Sequence, residues 1–220
     1  MKIKHHPDEE FLLDYATGSL EESWSLAIAT HLALCPQCRA TLSQIEAIGG
    51  NFLDAFSPAS SSNSDSFDFN SVFDLEFDNQ DKDKTDFQDI QPVLAFPEPL
   101  RSYLNGNLNE IKWKRLGLKI SQHLIETKDN LITARILRIP AGTTVPDHSH
   151  DGTEMTLVLS GAYSDQTGRY GKGDLQIADE ETRHQPCAEL GSECICLVVT
   201  DAPLQFKNLS AKIAQPFFGI

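Results

Sequence analysis

Basic residues are scarce in this chain. Its 220 residues carry 18 Lys and Arg against 32 Asp and Glu, a formal net charge of −14. A nucleic-acid binder needs clustered Lys and Arg to neutralise phosphates, so this balance counts against nucleic acid as a direct partner. It favours a basic protein surface, because opposite fields speed encounter. Long apolar runs are missing too: nothing approaches the roughly 18–20 residues that a membrane-crossing helix requires. The opening MKIKHHPDEE has lysines but no apolar stretch behind them, so no secretory signal is readable. A cytoplasmic location without membrane attachment is the expectation. Cysteine is limited to five residues, which in the cytoplasm are expected as thiols or metal ligands rather than disulfides.

What is present divides into three segments. Hydrophobic residues make up 40% of the chain, enough for one large core or two small ones. Residues 1–54 read as helical. A short helix over Asp8–Ala16 stops at Gly18, and Ser19-Leu20-Glu21-Glu22 has the form of a capping box that opens a helix toward Leu34. Pro36 suits the first turn of a third helix through Ile45 and Ile48, which Gly49-Gly50 ends or weakens. Residues 55–92 form a solvated linker by composition: between 57 and 92 nine Asp and Glu face two Lys among many Ser and Asn. Phe67, Phe69, Phe73 and Phe77 punctuate it, and a purely inert spacer has little use for aromatics. From residue 93 to 220 the period becomes two. LGLKISQHLI, LITARILRI, EMTLVLSGAYS, DLQIA and CICLVVTD read as strands between Gly, Pro and Asp turns, with no long helix before the final residues. That pattern predicts a β-sandwich or barrel.

The stretch HLALCPQC gathers one histidine and two cysteines. His31 and Cys35 are four residues apart at a helix end and share a face, and Cys38 follows just past the Pro36 turn. Tetrahedral Zn²⁺ takes such nitrogen and sulfur donors and needs a fourth, for which His5 or His6 is in reach. A metal there would staple a domain too small to be stable on its own core. A thioredoxin-type redox pair is a poorer reading, because no strand precedes Cys35. The run HHPDEEFLLDYATGSLEESWSLAIATHLALCPQC resembles the N-terminal domain of the zinc-binding anti-sigma factors, whose hallmark is His-x3-Cys-x2-Cys, and is most similar to the ChrR-type members. The resemblance implies a domain that wraps an extracytoplasmic-function sigma factor in a 1:1 complex and blocks its access to core RNA polymerase. It implies His6, His31, Cys35 and Cys38 as ligands of a structural Zn²⁺, with His5 as the alternative to His6.

A second constellation lies in GTTVPDHSHDGTEMTLVLSG. His148 and His150 alternate on a strand and point to one side, and Glu154 can return to them after the Asp151-Gly152 turn. Further on, Gly173-Asp174 marks a tight turn and His184 begins another strand. Three imidazoles and a carboxylate suit a divalent metal such as Zn, Mn, Fe or Ni, of which Zn²⁺ is the expected one. The two blocks resemble the paired cupin motifs, Gly-x5-His-x-His-x3-Glu-x6-Gly followed by a Gly-Asp…His block, with landmarks from Gly142 to Gly161. ChrR-type anti-sigma factors carry a cupin after the zinc domain, and the order here agrees.

The expected fold is therefore a small all-α zinc-binding domain followed by an all-β, jelly-roll-like cupin barrel. His123 matches no motif. Cys194 and Cys196 share one strand face and are expected to pack inside the barrel, whereas Cys187, three residues after His184, is the better candidate for oxidation. The resemblance implies a regulator without catalytic residues, in which the cupin senses oxidative stress such as singlet oxygen and releases the sigma factor. The competing readings are a metal-dependent cupin enzyme such as a dioxygenase, or a cupin that binds a small ligand.

Overall fold

The structure, a computed structural model, describes residues 2–55, 96–104, 111–117 and 119–206. The linker with Phe67, Phe69, Phe73 and Phe77, and the expected helix at the end of the chain, lie outside these residues. Helix α1 (Glu9–Thr17) starts after Asp8 and stops at Gly18, as its sequence predicts. The capping box does not form. Ser19 Oγ turns back to donate to the Asp14 carbonyl at 3.2 Å, and α2 (Glu22–Leu34) begins after Glu21 without a side-chain cap. The orphan N–H groups of Glu22 and Ser23 instead donate to the Asp129 carboxylate, at 3.2 and 2.7 Å. A carboxylate held there also meets the positive end of the helix dipole. Glu22 is then free to accept from the Lys128 N–H at 2.6 Å and from the Tyr103 hydroxyl at 2.8 Å.

Helix α3 (Pro36–Ala55) runs unbroken through Gly49-Gly50, so of the two expected effects, ending or weakening the helix, the ending does not occur. Each glycine costs roughly 1 kcal/mol against alanine but keeps its N–H, so it weakens a helix without cutting its hydrogen bonds as proline would. A fourth helix, α4 (Glu98–Leu104), precedes the strands, where none was expected, and packs on α2 with Leu100 and Leu104 buried.

The strands form one large antiparallel sheet in the order β1 (Lys114–Leu116), β2 (Ile120–Ile125), β3 (Thr133–Ile139), β11 (Cys194–Thr200), β5 (Glu154–Ser160), β8 (Leu175–Ala178). Two three-stranded sheets accompany it. One has the order β10 (Cys187–Ala188), β6 (Ala162–Ser164), β7 (Arg169–Gly171); the other β12 (Leu204–Phe206), β4 (His148–His150), β9 (Arg183–His184). The sheets do not close on one another, so the jelly-roll-like cupin is a sandwich with open edges. Gly161, the last landmark of the first cupin motif, bends the chain from β5 into β6 at φ 72°. A Cβ there would sit 2.2 Å from the Glu193 carbonyl oxygen, so no other residue fits.

Strand β11 is buried along its whole length, and the period of two explains how. Cys194, Cys196 and Val198 face the sandwich interior with Val158, Tyr163 and Tyr170. Ile195, Leu197 and Val199 face the other way and join Leu26, Ala27, Ile28 and Leu32 of α2 in one core. Alternation on β5 is the same, with Met155 and Leu157 turned toward the helices. Helix α2 is thus apolar nearly all round because it lies between the sheet and the other helices. The helical segment and the cupin share a core rather than standing apart. Ile28 is fully buried in it. Ile28→Ala is therefore expected to destabilise the whole chain by about 3 kcal/mol, the usual cost of such a cavity, read as a lower midpoint in urea unfolding. Among the described residues no helix is long and apolar enough to cross a membrane.

Candidate metal centres

The first centre is built at the α2–α3 junction. The last turn of α2 presents His31, Cys35 closes the helix with its N–H on the His31 carbonyl at 2.8 Å, and Pro36 starts α3. One turn into α3, Cys38 comes back against them: His31 Nε2 lies 3.2 Å from Cys38 Sγ. The extended N-terminal strap brings His6, whose Nδ1 is 3.4 Å from Cys35 Sγ and 3.2 Å from Cys38 Sγ. His6, His31, Cys35 and Cys38 thereby place four ligand atoms within 4.8 Å of one another. A tetrahedral ion with Zn–N and Zn–S bonds of about 2.0–2.3 Å needs ligand atoms roughly 3.3–3.8 Å apart; the nitrogen–sulfur spacings of 3.2, 3.2 and 3.4 Å lie at the short end of that range or just below it. His5 stands outside the group, its ring 4.4 Å from that of Tyr170.

Electrostatics agree with a cation there. Burial pushes the Cys38 thiol up to about 12 and His31 down to about 4. Neutral imidazole is the ligand form already, whereas buried thiolates need a positive ion to exist. The His31 Nδ1–H donates to the Gly173 carbonyl at 2.9 Å, which leaves Nε2 as the bare nitrogen aimed at the cluster.

The second centre lies inside the sandwich. Strand β4 carries His148 and His150 on its inner side, and β9 sets His184 directly opposite His148. Glu154 opens β5 after a turn held by the Thr153 N–H on Asp201 at 2.8 Å. His148, His150, Glu154 and His184 are all buried and form the second group of converging ligand atoms. The orientation of the rings decides what they want. His148 Nδ1–H donates to the Pro146 carbonyl at 2.8 Å and His184 Nδ1–H to the Asp165 carboxylate at 2.8 Å. In the neutral rings this turns the bare Nε2 of each inward, where the two stand 3.0 Å apart, with His150 Nε2 at 3.2 Å from that of His184. Bare nitrogens so close repel unless a proton or a metal cation lies between them. On His148 and His150 a proton is disfavoured, because burial lowers His148 and brings His150 to about 3. Nitrogens each about 2.1 Å from one divalent ion would have this spacing at angles of roughly 90–100°, the angles of an octahedral shell. Burial also raises the Glu154 carboxyl, and an ion would reverse that.

Each proposed ligand of the sequence analysis falls in one of these two groups. Cys187 belongs to neither: it sits on β10 and accepts from the Thr144 hydroxyl at 3.4 Å. Cys194 and Cys196 are buried in the sandwich with their sulfurs 3.5 Å apart, packed as expected. His123 Nδ1–H donates to the Lys112 carbonyl at 3.3 Å. Sequence reading missed Asp165, which orients His184 and is held by Thr167 and Gln176. Its Asp-x-Thr-Gly turn is legible, but not that the carboxylate points inward. Arg135 was missed too; buried on β3, it donates to Gln122 at 3.2 Å and lies in the field of Glu154.

Comparison with known proteins adds three findings. The ChrR Cupin-like domain matches residues 104–203. The Anti-sigma-E factor ChrR of Cereibacter sphaeroides is 42% identical over 220 residues, the full length of both chains. Among solved structures, the crystal structure of Rhodobacter sphaeroides SigE in complex with the anti-sigma ChrR matches with a TM-score of 0.74 at 39% identity, over 91% of this chain and 100% of that one.

Proposed function

The chain belongs to the ChrR family of anti-sigma factors, and we propose that it is a cytoplasmic regulator that holds an extracytoplasmic-function sigma factor inactive in a 1:1 complex. The full-length identity to an anti-sigma factor carries this reading, and it makes the chain a regulator rather than an enzyme. Residues 1–54 are the sigma-binding unit and residues 93–220 the sensing unit, joined by the acidic segment. His6, His31, Cys35 and Cys38 hold a structural Zn²⁺. His148, His150, Glu154 and His184 hold a second divalent ion, Zn²⁺ in the first instance. When bound, the first ion fixes the α2–α3 angle and the strap; the second supplies a Lewis-acid centre in the sandwich that an oxidant such as singlet oxygen can perturb. Asp165 holds His184 in the liganding tautomer, and Glu154 offsets the charge of the ion.

The binding surface is readable on α3. Leu42 and Ile45 pack on the core, but the same apolar row continues past it with Ile48 at 58% and Phe52 at 64% exposure. Among the described residues nothing covers this end, and exposed apolar rows mark interaction sites. The sigma factor is the occupant proposed.

Purified full chain, used as bait in a lysate of its own organism, is expected to retain a sigma factor and to stop that factor's transcription with core RNA polymerase in vitro. If no sigma factor is retained, the proposal fails. Ile48→Asp with Phe52→Asp should weaken the complex by roughly 30-fold or more, as loss of an interface anchor does, by calorimetric titration, while the ion content stays the same.

A further inference from the structure

The Gly173-Asp174 turn of the cupin does something no cupin needs. It joins β7 to β8, and its own sheet holds it through the Gly173 N–H on the Val158 carbonyl at 2.7 Å and the Val158 N–H on the Asp174 carbonyl at 3.0 Å. Its free side faces the N-terminal strap. Asp174 Oδ1 accepts from the backbone N–H of Lys4 at 2.6 Å and of His5 at 3.0 Å. Oδ2 accepts from the Gly171 N–H at 2.8 Å, and the Leu175 N–H donates to the His5 carbonyl at 3.2 Å. The strap thus adds to the cupin as a short edge, and the next residue is His6. Ile3 seats against Gly173 so closely that a Cβ there would meet its Cδ1 at 2.6 Å. The carbonyl of the same Gly173 is the acceptor that orients His31.

Two ligands of the first centre, from two different segments, are therefore placed by one turn of the other unit. We propose that Gly173 and Asp174 are positioning residues of the N-terminal metal centre: the turn aims His31 through the Gly173 carbonyl and holds His6 in reach through the Asp174 carboxylate. The cupin is then part of the outer shell of that centre, and the centre's hold on its ion depends on the cupin remaining docked. The turn is also bonded to Val158 of β5, four residues along from Glu154, so the two centres are linked through one strand. This inference rests on the reading of the first cluster as a metal centre.

The test uses the full chain loaded with Co²⁺, whose thiolate charge-transfer band reports only the cysteine-bound ion. Asp174→Ala removes all three acceptor contacts, and Asp174→Asn turns an NH₂ toward one set of N–H donors. Both should release the thiolate-bound cobalt to a chelator at least tenfold faster than the natural chain, the usual scale for loss of an outer-shell partner, with the cupin-bound ion retained. Ile3→Ala, which leaves the cupin untouched, should speed the same release severalfold. Release at the unaltered rate in all three variants overturns the inference. Loss of both ions together in the Asp174 variants, with Ile3→Ala unchanged, also overturns it, since Asp174 would then only hold the cupin. Absence of the thiolate band in the natural chain would instead sink the metal reading of the cluster itself.

Discussion

Changing Cys35 and Cys38 together to Ser is expected to reduce the chain from two bound ions to one and to weaken sigma binding severely. Both sulfurs are buried, and burial holds the Cys38 thiol near 12, so a thiolate forms there only with a cation beside it. Ser supplies neither a soft donor nor an ionisable one at accessible pH. The remaining imidazoles, His6 and His31, come from separate segments and cannot hold an ion alone. Metal-driven folding is large in isolated zinc modules, on the order of 10–16 kcal/mol. Here α2 stays docked on the sheet through Ile28 and its neighbours. The loss should therefore be local, opening the strap and the angle between α2 and α3 rather than unfolding the chain. Elemental analysis gives the ion count, and titration with the sigma factor should show affinity reduced by at least about 100-fold, roughly 2.7 kcal/mol. A variant that keeps both ions, or keeps tight sigma binding, contradicts the proposal.

Changing His148 and Glu154 together to Ala should have the complementary outcome. The cupin ion is lost, the cysteine-bound ion stays, and inhibition persists, but induction by singlet oxygen disappears. The two altered residues lie on the inner side of the sandwich, while Met155 and Leu157, beside Glu154 on β5, face α2. Removing the inner ligands leaves the outer packing intact, which is why inhibition should survive. Sensing requires the state of the ion to change the relative stability of bound and free sigma factor, a coupling typically worth 1–3 kcal/mol. A reporter driven by the sigma factor, measured with and without an illuminated photosensitiser, should be equally low in both conditions. Undiminished induction in this variant would remove the cupin ion from the sensing step.

The part of each candidate cluster that was legible is the part whose spacing is local, whereas His6 and His184 come from distant segments. His31, Cys35 and Cys38 meet across one helix end, where an i to i+4 step and a Pro turn determine proximity. His148 and His150 meet because alternate residues of a strand share a side. The alternation in EMTLVLS and CICLVV likewise foretold strands, and their unbroken apolar character already hinted that both faces are covered.

Other expectations failed where a distant group replaced a local one. Ser19 and Glu22 have the spacing of a capping box, yet Asp129 takes the helix end because the sheet delivers a rigid carboxylate to it.

From its own repeats, then, the chain settles which neighbouring side chains share a face: His31 with Cys35, His148 with His150, and the inward residues of each strand. Only the tertiary structure decided which carboxylate meets which N–H. Asp165 under His184 and Asp174 on the strap are partnerships across 19 and 170 residues. A buried acid shows no periodicity; its partner is chosen by where the chain returns, and that is a property of the packed fold alone.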